Sequence, residues 1–186
     1  MSHDKYFSEV LRSLEVRPIS RQERPLWDEL MRRYHYLGLH SLVGESIRYI
    51  ALFEGEWLAL MGWSAAALKC KVRDQWIGWP SSLQWQRLAL IANNSRFLIL
   101  PHIRIPNLAS RILALNLKRL SLDWQALYGH PIWLVETFVD PRYFKGTCYQ
   151  AAGWTFLGYT RGFAKCSQRY SQHDYPKMVF VQPLHR

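Results

Sequence analysis

The chemically capable residues of this chain concentrate in LVETFVDPRYFKGTCYQAAGWTFLGYTRG, from Leu134 to Gly162. Glu136 shares a strand face with Leu134 and Phe138, where a carboxylate without a partner costs several kcal/mol. It calls for a cation, and Arg87, read as lying on the central strand, is the expected one. Glu136 is therefore either half of a structural ion pair with Arg87 or a working carboxylate. Asp140 stands where the strand runs out, before Pro141, as a helix N-cap or as a functional group at the end of an open sheet. Tyr149 follows Gly146-Thr147 in a short helix and has the chemistry of a general acid or of a nucleophile toward phosphate, beside the plainer role of filling space. His35, in YHYLG at the end of the first helix, reads as a base, a phosphate contact or a partner of the helix dipole. Glu136, Asp140, Tyr149 and His35 are thus the catalytic candidates. If Asp74 joins Glu136 and Asp140, the three carboxylates would hold a divalent metal ion for phosphodiester chemistry.

A second set of residues offers donors. Arg73, Asn93, Asn94 and Arg96 suit phosphate or base edges. Arg161, Lys165, Arg169 and Lys177 interleave with Phe163, Tyr170 and Tyr175, the pairing of charge and stacking rings that suits nucleic acid. The formal charge is +10 and is unevenly spread: 13 basic and 10 acidic residues up to Leu100, then 11 basic and 4 acidic. The expected partner is DNA, single- or double-stranded, and a membrane is not expected, because no apolar run reaches the length of a span. Cys70, Cys148 and Cys166 are odd in number and lack zinc spacing, so they read as reduced thiols of a cytoplasmic protein.

The elements that must position these residues follow from periodicity. Leu14 to Ile19 alternates as a strand, and Ser20 to Glu23 has capping-box spacing before a helix carrying Leu26, Leu30 and Tyr34 that ends before Gly38. Arg48 to Phe53 and Trp57 to Ala66 form a hairpin about Gly55. Lys69 to Ser82 reads as a loop, Leu83 to Ala92 as a strand, Asn93 to Ser95 as a turn and Phe97 to Leu100 as a buried run. Pro106 and Asn107 open a long helix closed by Gly129 and Pro131. A strand from Ile132 to Val139, a short helix from Pro141 to Ala152, a strand from Trp154 to Tyr159, a basic polar loop over 164–177 and a strand from Met178 to Val181 complete the chain. Residues 1–13 are expected to be flexible or a short helix, and the whole, 1–186, a single α/β (α+β) domain with a mixed β-sheet flanked by helices.

That element order resembles the GNAT acyltransferase fold. The resemblance implies an acyl- or aminoacyl-transferase as an alternative activity. A transferase of that kind cradles the pyrophosphate of coenzyme A in a glycine-rich turn before the long helix. Here the turn reads LPHIRIPNLAS, with two prolines and no glycine, so coenzyme A is disfavoured.

HYLG at His35, RDQWIGW at Arg73, NNSRFLILP at Asn93, PNLASR at Pro106, DWQALYGH at Asp123 and ETFVDPRYFKGTCYQAAGW at Glu136 together resemble the DruA family over most of the chain. That resemblance implies an anti-phage defence (Druantia) or mobile-element setting, with other defence-system or transposon-encoded proteins as partners. The function expected from these readings is a DNA-binding or DNA-processing protein; if it is an enzyme, it cleaves phosphodiesters or transfers strands. A non-catalytic subunit, using the Trp-rich stretch Gln75 to Trp85 as an interface, is a further alternative.

Overall fold

The computed structural model describes residues 3–161, 163–166, 169–172 and 175–184. Strands β1 (Glu15–Pro18), β2 (Ser46–Phe53), β3 (Glu56–Ala65), β4 (Ile91–Ile99), β5 (Leu134–Val139), β6 (Thr155–Tyr159) and β9 (Met178–Pro183) form a seven-stranded sheet in the order β1-β2-β3-β4-β5-β9-β6. Strands β7 (Phe163–Cys166) and β8 (Arg169–Gln172) pair separately, inside the segment expected to be a loop. Neighbours in the large sheet are antiparallel except β4 and β5, which are parallel. A parallel pair needs a crossover, and the long helix α5 (Leu108–Tyr128) supplies it.

Helix α5 packs on one face with α1 (His3–Ser13) and α6 (Thr147–Ala151). Its Ile112, Leu113, Leu120 and Trp124 meet the inward residues Tyr49, Ala51, Met61 and Trp63 of β2 and β3. The Trp63 indole N–H donates to Asn116 Oδ1 on α5, which satisfies the indole and the amide oxygen inside that layer. The opposite face is covered by α2 (Arg24–Tyr34), through Trp27 and Met31 against Ile50 and Leu60, and by the short helices α3 (Lys71–Ile77) and α4 (Ser81–Arg87).

Local chemistry explains several boundaries. Ser20 and Glu23 bond reciprocally, Glu23 N–H to Ser20 Oγ at 3.3 Å and Ser20 N–H to Glu23 Oε2 at 2.6 Å, closing the turn that feeds α2. Between β2 and β3, Glu54 and Gly55 both adopt left-handed backbone (φ 51° and 83°), the conformation that matches the strands' twist.

The stretch from Lys69 to Ala92 differs most from expectation. It forms α3, α4 and a 3₁₀ turn at Leu88–Leu90, and the strand begins only at Ile91. Arg87 therefore lies at the end of α4, and the partner of Glu136 is Arg73 on α3. Arg73 Nη1 donates to Glu136 Oε2 at 2.7 Å, and both side chains are 0% exposed. The other oxygen, Glu136 Oε1, accepts from the Ala67 amide at 2.8 Å, while Arg73 Nε donates to Asp74 Oδ1 at 2.8 Å. Asp74 Oδ2 then accepts from the Cys70 amide and from Gln84 Nε2 on α4. Burial works against the Arg73 charge, and the carboxylates of Glu136 and Asp74 overcome it, holding its pKa above the ordinary value; burial pushes the Glu136 carboxyl up against the pull of Arg73. The pair fixes α3 and α4 to β5, a connection that period-2 patterning over Leu83 to Ala92 does not reveal.

Removing one partner of a buried pair leaves the other charge uncompensated. Glu136→Ala is expected to lower unfolding stability by about 3–5 kcal/mol. The double substitution Arg73→Met with Glu136→Leu should lose clearly less than Glu136→Ala alone. Urea denaturation of the three proteins checks both expectations.

Candidate active site

Strands β4 and β5 stay in register for only three pairs, Ile91 with Leu134 through Asn93 with Glu136. On the other side of β4, Gly62 faces Arg96 and Trp63 faces Asn94, so Ser95 is the extra residue of a β-bulge. A bulge bends its strand, and here it carries β4 away from β5. Asn93 to Ser95, expected as a turn, thus lies within the strand and opens a wedge in the sheet. A cavity of about 450 Å³ fills the wedge, lined by His35 and Tyr36 beyond α2, Asn94 of β4, Thr137 of β5, and Lys145 and Tyr149 around the start of α6.

Tyr149 is buried at the inner wall. Its hydroxyl donates to Asn94 Oδ1 at 2.8 Å, and Thr137 Oγ1 donates to the Asn94 carbonyl at 3.0 Å while lying 3.5 Å from the Tyr149 oxygen. Burial pushes the phenol well above its ordinary pKa, so the tyrosine keeps its proton at neutral pH. It is oriented by Gly146, whose left-handed backbone (φ 71°) begins α6 and brings its Cα against the Phe180 ring, where a Cβ would stand 2.6 Å from that ring.

His35 reaches the wedge as a donor. Its Nδ1 accepts from the Leu37 amide at 3.2 Å, which assigns the proton of the neutral ring to Nε2. Burial, with Arg96 nearby, lowers its pKa to about 4. The expected role as a base does not agree with that tautomer.

A second cavity, of about 670 Å³, adjoins the first, and Ile99, Ala109, Thr147 and Cys148 line both. It opens at the N-terminus of α5. Asn107 takes left-handed backbone there (φ 61°), the conformation that a glycine would otherwise supply, and makes no side-chain cap. Pro101 and Pro106 precede the helix. The first-turn amides of Ala109 and Ser110 therefore remain, with no acceptor among the described residues, beside Arg104. Such amides and the helix dipole suit a phosphate group. The sequence reading missed this site because it sought glycine where asparagine does the same work.

The other candidates part company. Glu136 and Asp74 lie in the Arg73 cluster, which commits Arg73 to carboxylates and withdraws it from nucleic-acid contact. Asp140 caps a turn: its Oδ1 accepts from the Arg142 amide and Nε, and its Oδ2 from Arg142 Nη2 at 2.6 Å, which holds the carboxyl below its usual range. Helix α6 begins only at Thr147, so Asp140 is not its N-cap. Among the described residues no three His, Cys, Asp or Glu side chains gather as a metal site, and Asp74, Glu136 and Asp140 do not converge. Asn94 and Arg96 reach the wedge region and Asn93 lies on the paired part of β4; Arg161 is exposed. The side chains of Lys165 and Arg169 lie outside the described residues. Trp76 and Trp85, from the Trp-rich stretch, are 47% and 58% exposed. No helix among the described residues is long and apolar enough to cross a membrane.

A mixed sheet that splays between two parallel central strands, with the long crossover helix pointing its N-terminus at the split, defines a chain with the GNAT acyltransferase fold. The aminoglycoside acetyltransferase AAC(6')-Ib in complex with coenzyme A matches with a TM-score of 0.60 at 15% identity, over 92% of this chain and 95% of that one. The spermidine/spermine N-acetyltransferase SpeG from Vibrio cholerae, in complex with manganese ions, gives 0.57 at 10% identity, over 94% and 95%. The Drosophila melanogaster polyamine N-acetyltransferase gives 0.54 at 14%, over 91% and 99%. At these identities the fold is what is shared. No curated protein sequence matches. The chain belongs to the DruA family: the model described as Druantia protein DruA matches residues 5–183.

These likenesses correct three expectations. The neighbours are acetyltransferases, so the fold backs the acyltransferase alternative better than the reading as a DNA-binding or DNA-processing protein, and points away from phosphodiester cleavage and strand transfer. Coenzyme A, disfavoured for want of glycine, is bound in the AAC(6')-Ib structure, and the glycine-free turn here still presents its amides.

Because the His35 pKa is lowered on folding, the unfolded chain binds a proton that the folded chain refuses between about pH 6.5 and 4. Stability contributed by neutral His35 is full above that window and is lost as pH falls through it. His35→Gln should flatten this part of a plot of melting temperature against pH, and an unchanged slope would remove His35 as its source.

Proposed function

We propose that this chain is an N-acyltransferase that takes an acyl group from a coenzyme A thioester and passes it to an amine in the wedge between β4 and β5. The observation that carries the reading is that the two cavities adjoin across Ile99, Ala109, Thr147 and Cys148, the one at the open amides of α5 and the other holding the buried Tyr149 hydroxyl. Bound coenzyme A supplies an activated acyl carbon with a sulfur leaving group. The Ala109 and Ser110 amides, the α5 dipole and Arg104 would hold its pyrophosphate. The Tyr149 hydroxyl, neutral and aimed by Asn94, gives its proton to the departing sulfur as the C–S bond breaks and the C–N bond forms. The acceptor nitrogen releases one proton to solvent, and Tyr149 regains one, so protons balance over the turnover. Asn94 and Thr137 are positioning residues.

Membership of the DruA family supports a defence-system setting for this transfer. Acyl-coenzyme A is an intracellular donor, which accords with a cytoplasmic protein whose Cys70 and Cys148 are free thiols.

Coenzyme A should raise the melting temperature of the wild-type chain in a concentration-dependent way. Tyr149→Phe should keep that shift, because the hydroxyl is not needed for binding, while lowering kcat for thiol release with an amine acceptor by on the order of 10²-fold or more. No thermal shift, or full turnover in Tyr149→Phe, would defeat the respective half of the proposal.

A further inference from the structure

The acceptor side of the wedge carries a charge that its likeness to aminoglycoside and polyamine acetyltransferases does not lead one to expect. Aminoglycosides and polyamines are polycations, and a site for one needs carboxylates that are free to face it. Among the described residues lining either cavity there is no Asp or Glu. What lines the wedge instead is Lys145, exposed and without an ion pair or hydrogen bond among the described residues, together with the His35 donor.

The surroundings add to this balance. Arg96 is half-buried and among the described residues bonds only to carbonyls, Gly38 O at 3.0 Å and Ser95 O at 2.7 Å, with no carboxylate among them to cancel its charge. Burial depresses the pKa of the half-buried Lys177 against the pull of Asp140, and the nearby Arg96 and Arg142 add to that lowering. Among the described residues Asp140 is the carboxylate that acts on Lys177, and both its oxygens are bonded to Arg142. A polycation would be repelled here.

Flat rings stand at the same opening. Tyr36 and Phe144 line the cavity with centroids 5.1 Å apart, and Tyr143 lies 5.2 Å from Tyr36; all three are exposed. Exposed rings beside unbalanced cations are what a planar base attached to a phosphate requires, one to stack and the other to neutralise.

We propose that the amine acylated in this wedge belongs to an aromatic anion, a nucleotide-like molecule carrying phosphate, and not to a polycation. The inference rests on the acyl-transfer reading for its chemistry and on the ring-and-cation opening for its selectivity. Cytidine monophosphate is the suitable probe, since it has a phosphate, a planar ring and an exocyclic amine, and is not part of coenzyme A, whose nucleoside is adenosine.

Calorimetric titrations of the full chain with cytidine monophosphate and with spermidine, each with and without coenzyme A, test the proposal. Cytidine monophosphate should bind in both conditions and weaken as salt rises, whereas spermidine should not bind at the same concentrations. Lys145→Glu, at an exposed position that does not threaten folding, should weaken cytidine monophosphate at least tenfold, and Tyr36→Leu should weaken it separately. Spermidine binding as tightly as cytidine monophosphate, or an unchanged affinity in Lys145→Glu, overturns the proposal. A thermal shift by coenzyme A without nucleotide binding defeats this inference and leaves acyl transfer standing. Nucleotide binding sensitive to Lys145→Glu, in a chain that coenzyme A does not stabilise, defeats acyl transfer and keeps the anion site.

Discussion

One irregularity, the bulge at Ser95, governs the architecture of the site. Two parallel strands that stay paired along their length leave no space between them, and a sheet with a closed centre has its chemistry only at its edges or ends. Here pairing stops at Asn93 and Glu136, and everything of functional interest is arranged around the resulting gap. Tyr149, Thr137 and Asn94 meet across it. Gly146 can bring α6 against Phe180 only because no side chain intervenes. The crossover that a parallel pair demands sets the N-terminus of α5 beside the split.

The opened sheet must be held, and the pair of Arg73 and Glu136 does this from the other face. Glu136 is the last residue of β5 in register with β4, so the buried ion pair grips the strand at the point where it begins to separate. The residue that attracted attention as a catalytic carboxylate is the anchor of the wedge. Tyr149, a candidate acid or nucleophile beside the plainer role of filling space, is the group the wedge contains. The distinction is set by which face of β5 each one meets: Glu136 faces α3, and the α6 side receives Tyr149.

Much of the frame was legible in the residues. The hairpin at Gly55, the capping box at Ser20 and Glu23, the long α5 and the mixed sheet all follow from local patterns, and the GNAT-like element order follows from them. The departures have equally local explanations. Leu83 and Trp85 share a face as a strand, whereas Trp85 and Leu88 have helical spacing, and the bonds from Asp74 to Cys70 and Gln84 decide for the helices. Asn94 reads as a turn former because a polar side chain inside a central strand has no local motive; its motive is the Tyr149 hydroxyl, 55 positions along the chain. Nothing near Glu136 in sequence points to Arg73, 63 positions earlier. Contacts of that separation carry no periodic signal, and they are the ones that turn a recognisable frame into a site.

The shared wall of the two cavities has a consequence for the order of events. With Ile99, Ala109, Thr147 and Cys148 common to both, the donor and acceptor of the proposed transfer would sit in adjoining cavities. The nucleophile nearest that junction, Cys148, has its thiol pushed up to about 11 by burial and holds little thiolate at neutral pH. A group passing through this wedge would find no thiolate relay among the described residues that line it. Under the proposed acyl transfer it would travel directly between two bound molecules, and the kinetics belonging to that geometry would be sequential, with a ternary complex, and not ping-pong.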